Sequence, residues 1–595
     1  MMRIIKQHIG KMVFIPILLS VHGQLLSEPI SPQIVKGSAI INQVSTTTSI
    51  NQSTNNLVIN WESFNVKANE TVNFIQPNTS SIALNRVIGL NGSEILGSLN
   101  ANGQVFIINP NGIIFGQDAQ VNVGGLVAST LNISDDNFTN RSFIFEDGIG
   151  SIANKGTLTS RANGYIALLG SNVVNEGSMN SPLGSNILAS GDKITLDFTG
   201  DGLINLSVDQ ATLDAYVENK GVIKADGGQV LMTAYAKDSL FKTILNNEGL
   251  IQAQTIENKN GVIKLLGSMD QGEVTVSGKL DASAPVSGDG GFIETSGHKV
   301  SIDEDAIITT NSAQGNTGNW LLDPVDYLIA AAGGDATGTF IASSLASTNV
   351  SILASNDITI NDAINTSGSS GGTLTFQAGK SININADITT ANGDVYFYAN
   401  EELSSGVVNA DRSSGAASIL MDTSKTINAG TGDITFEIKW GSSKTNYDAG
   451  NTNLGVINGN NIKVNNYSRS GGNTITYGGA VNAAGTFNQY NYARALATNI
   501  NADFNVAGNS TNFGFGGDIS INANVTNTNA NGQMTFHGGP THTITAGSGV
   551  TIDASAGDGL FFSSNTLNLS NAASIKGGTR ILLTEGSNNC SYQTM

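Results

Sequence analysis

Cysteine is almost missing from this chain: Cys590 is the sole one in 595 residues, which excludes any internal disulfide framework. Proline is scarce, with 9 residues, and charged residues make up only 13% of the sequence. What charge there is leans acidic, with 28 Lys and Arg against 47 Asp and Glu for a formal net charge of −19. Nucleic-acid binding through basic patches is thereby excluded, as is a polybasic anchor on a membrane surface. Spread thinly, the negative charge serves to keep a long β protein soluble. Long apolar runs are also lacking. Past the N-terminus no stretch approaches the roughly 20 residues that a membrane-spanning helix needs. No 15-residue window there carries a 3.6-residue periodicity either, so very little helix is expected. Disorder is excluded in turn, because 39% of residues are apolar and recur as short Val/Ile/Leu/Phe triplets.

Glycine is abundant, with 70 residues, and Asn, Ser and Thr fill most remaining positions. The length exceeds what one ordinary core serves, so several domains or a repeating elongated architecture is expected. The N-terminus reads as a secretory signal over residues 1–23: Arg3, Lys6 and Lys11 precede the apolar Met12–Val21, and Val21-His22-Gly23 offers a cleavage site, with Ser27 as a later alternative. Its removal makes the mature chain more acidic still. Scarce cysteine suits passage through a narrow pore in unfolded form, although a cytosolic chain would look the same on this count. The C-terminal region has no block of amphipathic ten-residue strands, so the chain is expected to carry no translocator of its own.

Repetition sets the architecture. Ile358-Thr-Ile360-Asn-Asp-Ala-Ile364-Asn-Thr366 returns 24 residues later as Ile382-Asn-Ile384-Asn-Ala-Asp-Ile388-Thr-Thr390. Each copy is followed by a second strand-like piece, Leu374–Ala378 and then Val395–Ala399. A third echo runs from Ile519 to Val525 and on through Gln533–Phe536. In the first half the recurring signature is Asn-x-Gly, at Asn154–Gly156, Asn175–Gly177, Asn219–Gly221 and Asn247–Gly249. Asn and Gly tolerate positive φ, so left-handed corners are expected there. Short alternating strands between such corners, at a period of 21–28 residues, are the coils of a parallel β-helix. About 25 coils spaced at roughly 4.8 Å would give a rod on the order of 120 Å. A β-sandwich or propeller would need longer strands and hairpin spacing.

Residues 31–135 carry an ordered run of motifs. Asn60-Trp61-Glu-Ser-Phe64-Asn65-Val66 leads to Val72–Val87, which contains Gln76-Pro77-Asn78-Thr79; then come Ile95–Gly103, Val105–Ile113 with Asn109-Pro110-Asn111-Gly112, and Val123–Thr130. This run resembles the haemagglutination-activity domain of two-partner secretion exoproteins, the filamentous-haemagglutinin family. Gly290–Gly297 and Asn319–Tyr327 resemble segments of larger members, and beyond about residue 335 only the generic repeat persists. The resemblance implies an all-β, right-handed parallel β-helix with an N-terminal cap and a few extra-helical strands. It also implies a dedicated outer-membrane transporter as partner, and a function as a secreted adhesin at the bacterial surface, reached through the periplasm, with a host-cell or surface glycan or protein as receptor. Residues 28–330 would form the secretion domain and first coils, and 331–595 a repeat-rich extension, with truncation of its C-terminal end left open. Two family motifs bear on the transporter. Asn109, Pro110, Asn111 and Gly112 match one, whereas Gln76, Pro77 and Asn78 depart from the other at its first residue. Both motifs also make good corners, since Pro fixes φ, Asn bonds its own backbone and Gly permits a left-handed turn. Direct contact and corner-making both stay open.

A β-helix enzyme, such as a carbohydrate-active one, needs grouped carboxylates or metal-held Asp residues. The acidic candidates, Asp135-Asp136, Glu146-Asp147 and Asp303-Glu304-Asp305, are neighbours in sequence and read as solvated loop charges. Asp323 and Asp326 flank a proline and read as turn caps. His298 stands alone, and His537 and His542 have no third ligand nearby. Gly288–Gly291 lacks the lysine of a phosphate loop. No catalytic residue, metal site or cofactor is expected. A contact-dependent toxin of the same family would add a distinct C-terminal effector domain, and none is visible. Rows of Asn, Ser and Thr, with Tyr396, Tyr398, Tyr467, Tyr490 and Tyr492, are candidates for glycan contact or simply outward strand residues.

Overall fold

In the computed structural model, residues 28–593 are described, apart from 199–202, 211, 213–214, 236–242, 367, 369–370, 403–405, 441–448, 469–471, 492–495, 515 and 586–588. The expected signal segment lies outside the described residues. The chain winds as a parallel β-helix. Its longest face starts at Asn56–Trp61 and passes through Ile82–Val87, Gln104–Ile108 and Gly125–Ser129, each strand hydrogen-bonded in parallel to the next. The same stacking runs on to Gly559–Asn568 and Ile581–Glu585. Among the described residues twenty strands follow one another on this face. That is fewer than the 25 expected, and sets a length of about 90 Å at the usual strand spacing. The difference has a physical source: the insertions that contain residues 131–149, the strands Lys193–Asp197 and Asn205–Gln210, and residues 406–416 lengthen the chain per coil without adding a strand to this face.

The sequence repeats coincide with the coil register. Ile358, Thr359 and Ile360 pair with Ile382, Asn383 and Ile384, and Leu374–Ala378 pairs residue for residue with Val395–Ala399. Alternate residues point inward, as in Leu374, Phe376 and Ala378, and stack on their counterparts above. Phe376, Phe397 and Phe436 form one such column, with ring centroids 5.3 and 4.9 Å apart. A single coil leaves these side chains open to water above and below, and stacking removes them from it.

The Asn-x-Gly corners depart from expectation. Gly156, Gly177, Gly221 and Gly249 are not among the residues with positive φ. Glycine is required there because successive backbones nearly touch: a Cβ on Gly221 would stand 2.0 Å from the carbonyl oxygen of Gly177. The asparagines turn inward as a fully buried ladder. Asn154 Nδ2 donates to Asn175 Oδ1 at 2.7 Å, Asn175 to Asn219 at 2.7 Å, and Asn219 to Asn247 at 2.8 Å.

An N-terminal cap covers the first coil. Gln33–Lys36 runs antiparallel to Asn56–Trp61, and Ala39–Val44 runs antiparallel to Thr47–Gln52. This hides an edge that would otherwise invite strand addition. The extra-helical strands Phe143–Glu146, Lys193–Asp197 and Asn205–Gln210 form a small antiparallel sheet. It lies over the outer side of the long face and encloses a second core that includes Phe106, Val127, Phe143, Phe145 and Leu196. Strands beneath it, such as Tyr165–Gly170, are therefore buried on both sides and read as unbroken apolar runs. Arg86 fastens this layer, donating to Ile133 O at 2.6 Å and lying 2.8 Å from Asp135. Helix is confined to Asp135–Thr139 and Gly338–Ser344 among the described residues. Neither is long and apolar enough to cross a membrane.

Candidate functional site

Both tetrapeptides form corners between strands, and they differ in what they leave exposed. At the first, Gln76 is buried and bonded all round. Its Nε2 donates to Gln52 Oε1 at 3.1 Å and to Ser81 O at 3.0 Å, while its Oε1 accepts from Gly103 N at 2.9 Å. Its longer side chain reaches across three coils, so the departure at this position serves the fold. Pro77, Asn78 and Thr79 are exposed. Asn78 Oδ1 accepts from Ser80 N at 2.9 Å, and its Nδ2 donates to Asn55 Oδ1 at 3.0 Å.

At the second corner Asn109 is fully buried. Its Nδ2 donates to Asn91 O and to Ser93 Oγ at 3.0 and 2.9 Å, and its Oδ1 accepts from Asn111 N at 3.0 Å. Gly112 adopts φ of +116°, which a side chain would strain. Asn111 is exposed, and its Nδ2 donates to Gly89 O at 3.0 Å. That bond places Asn111 beside the loop carrying Ile88 and Leu90. On the other side, the backbone at Gly150 lies against Pro110 and Gly112, bringing Ile149 close. Leu90 is 90% exposed and Ile149 85%, with Ile88 and Ile114 about half exposed. A concavity of about 790 Å³, lined by Asn65, Asn91, Glu94, Asn111 and Ile114 among others, opens beside them. Motif reading found the corner and missed this apolar rim. The available signal was an isolated Ile or Leu flanked by Gly, in Ile88-Gly-Leu90 and Gly148-Ile149-Gly150, outside any strand alternation.

The acidic candidates are dispersed. Asp135 and Asp136 occupy the first turn of a short helix capped by Ser134, Glu146 pairs with Lys193 at 3.0 Å, and Asp303 accepts from Asp305 N at 3.1 Å. Asp326 bonds across coils, accepting from Asp357 N at 3.0 Å, and does not cap its own turn. Asp323 does not either: it ends the strand Asn319–Asp323, and its Oδ1 is buried without a hydrogen-bond partner. Burial, reinforced by neighbouring Glu294, pushes its carboxyl up to about 7. The unfolded chain ionises this group near 3.8, so its protonated form is favoured by folding between the two values. Its contribution to stability is therefore intact below about pH 4 and is lost as pH rises towards 7, by roughly 4 kcal/mol at most. Asp323→Asn is expected to flatten that slope and raise the urea midpoint at pH 8, while leaving it little changed at pH 4. An unchanged slope would show that the carboxyl ionises freely.

His298 Nδ1 lies 3.1 Å from Met269 O, and His542 Nδ1 lies 3.5 Å from Asp518. Among the described residues no three His, Cys, Asp or Glu side chains gather as a metal site. Tyr396 and Tyr398 face outward with parallel rings 6.0 Å apart, and Lys439 sits 4.8 Å over the Tyr398 ring. Tyr492 lies outside the described residues.

Residues 30–282 match the family model described as the TPS secretion domain. This part of the chain is a TPS, or two-partner secretion, domain. Two Heme/hemopexin-binding proteins of Haemophilus influenzae are each 30% identical to it. The match with that of strain Rd spans 246 residues, 40% of this chain and 27% of that protein. The other spans 239 residues, 36% of this chain and 25% of its counterpart. The chain thus spans about a quarter of the length of the curated relatives it matches. The crystal structure of the HMW1 secretion domain from Haemophilus influenzae aligns at 24% identity and a TM-score of 0.44, over 79% of this chain and 100% of that one.

Proposed function

We propose that this chain is a filamentous-haemagglutinin-like adhesin, exported through the periplasm and a dedicated outer-membrane transporter, with residues 28–330 as its secretion module and 331–595 as the extension that does the binding. The observation that carries the export route is the TPS domain match together with the second corner. There the fold consumes Asn109 and leaves Asn111 at the surface inside an apolar rim, which is what a docking surface for the transporter's periplasmic part requires. The adhesive reading is supported by the extension itself. The stack continues well past residue 282 without a break in pairing on the long face, and stacked coils present the long, regular surfaces that repeat proteins use for binding. A carbohydrate-active enzyme is disfavoured because the acidic candidates are dispersed, with Asp135 in a helix first turn, Glu146 in an ion pair and Asp303 in a local turn.

The test is expression with and without a two-partner-secretion transporter, followed by binding of the released chain to epithelial cells and erythrocytes. Release that depends on the transporter and saturable cell binding are expected. Release without it would overturn the route. A released chain that binds haemin, as the relatives' name describes for them, and adheres to no cell would overturn the adhesive reading.

A further inference from the structure

The extension carries a second regular amide row, this one on its outer surface. The strands Thr426–Asn428, Val456–Gly459, Val481–Ala483 and Phe504–Val506 stack in parallel and set Asn428, Asn458, Asn482 and Asn505 in register. Asn482 Nδ2 donates to Asn458 Oδ1 at 2.7 Å, and Asn505 Nδ2 donates to Asn482 Oδ1 at 2.9 Å. A primary amide has two N–H donors and an oxygen with two lone pairs. The ladder uses at most one donor and one acceptor per rung, so Asn458, Asn482 and Asn505 each keep at least one of both to offer outward. Ala484, Ala507 and Thr528, all exposed, form the other bank of a trough of about 340 Å³. Among the described residues, no charged side chain lines it. Ladder bonding fixes the amides before any ligand arrives, which lowers the ordering cost of binding.

We propose that this trough binds a neutral polysaccharide laid along the helix axis. The rungs advance by about 4.8 Å per coil, close to the advance of one sugar in an extended chain, so each coil meets one sugar with the same donor and acceptor pair. Hydroxyl groups, which both donate and accept, suit that pairing. An anionic polymer finds no cation in the lining and meets the field of a chain with net charge −19. The proposal rests on the adhesive reading and names its ligand class.

The secreted full chain is titrated with soluble β-glucan, galactan and mannan, and with heparin as the anionic contrast. Binding to at least one neutral polymer and none to heparin is expected. Ala484→Arg fills the trough from an exposed position without touching the ladder and is expected to weaken binding at least tenfold, with the melting temperature unchanged. Ser520→Arg, on the adjoining face, is expected to bind as the parent does. Should Ala484→Arg melt early, Ala507→Arg one rung on makes the same test. No binding to any of the three neutral polymers, or binding that survives the trough variants, would overturn the proposal. Cell adherence that persists in that case leaves the adhesive reading standing, whereas its absence removes both.

Discussion

Asn219→Ala is expected to destabilise the protein by about 3 kcal/mol, within a range of roughly 2–5 kcal/mol. Asn219 is fully buried mid-ladder, accepting from Asn175 and donating to Asn247. Truncation strands an N–H on one neighbour and a carbonyl oxygen on the other, each in a site closed to water, and each stranded group costs about 1–3 kcal/mol. The outward ladder supplies the contrast. Asn482→Ala removes the same pair of amide bonds where water can take their place, and is expected to shift stability by no more than about 0.5 kcal/mol. Urea unfolding of the two variants beside the parent measures both effects. Equal shifts would mean that burial does not set the worth of the inner ladder.

The same ladder shows how far the sequence could be read. Spacing identified the four Asn-x-Gly corners, and they do lie on successive coils, with Asn154, Asn175, Asn219 and Asn247 in one register. Their chemistry was misjudged. A left-handed turn and a close backbone approach both demand glycine, and a single sequence does not separate them, because the second depends on what the next coil places there. Repeats with little insertion were fully legible, as the pairing of Ile358–Ile360 with Ile382–Ile384 shows. Coil number was overestimated because strands such as Lys193–Asp197 and Asn205–Gln210 have strand composition without a place in the stack.

The extra-helical layer left a trace in the sequence that only its physics explains. Ile166-Ala-Leu-Leu169 is an unbroken apolar run among strands that otherwise alternate, and such a run signals cover on both faces. Of the candidate site, the two corners were legible from Pro, Asn and Gly, including the positive φ at Gly112. Which asparagine points inward was not, because Asn109 and Asn111 are separated by the side on which the preceding loop, Gly89–Ser93, happens to lie.

That difference makes the corner testable, since its two asparagines should fail in different ways. Asn109→Ala removes a buried amide that holds Asn91 O, Ser93 Oγ and Asn111 N, and is expected to cost about 2–4 kcal/mol and to abolish release by spoiling the fold. Asn111→Ala loses an exposed bond to Gly89 O and a longer one to Asn109 Oδ1, which still accepts from Asn111 N, so the melting temperature should stay within a few degrees of the parent. If the transporter docks here, Asn111→Ala is nonetheless expected to weaken binding to the transporter's periplasmic domains at least tenfold and to lower release in step. Leu90→Ser, which removes an apolar side chain that is already in water, should do the same without loss of stability. Circular dichroism, thermal melting and binding to the isolated periplasmic domains separate the outcomes. Variants at Asn111 and Leu90 that are folded and bind normally would reduce the corner to a purely structural device, and the docking surface would then lie elsewhere on the domain.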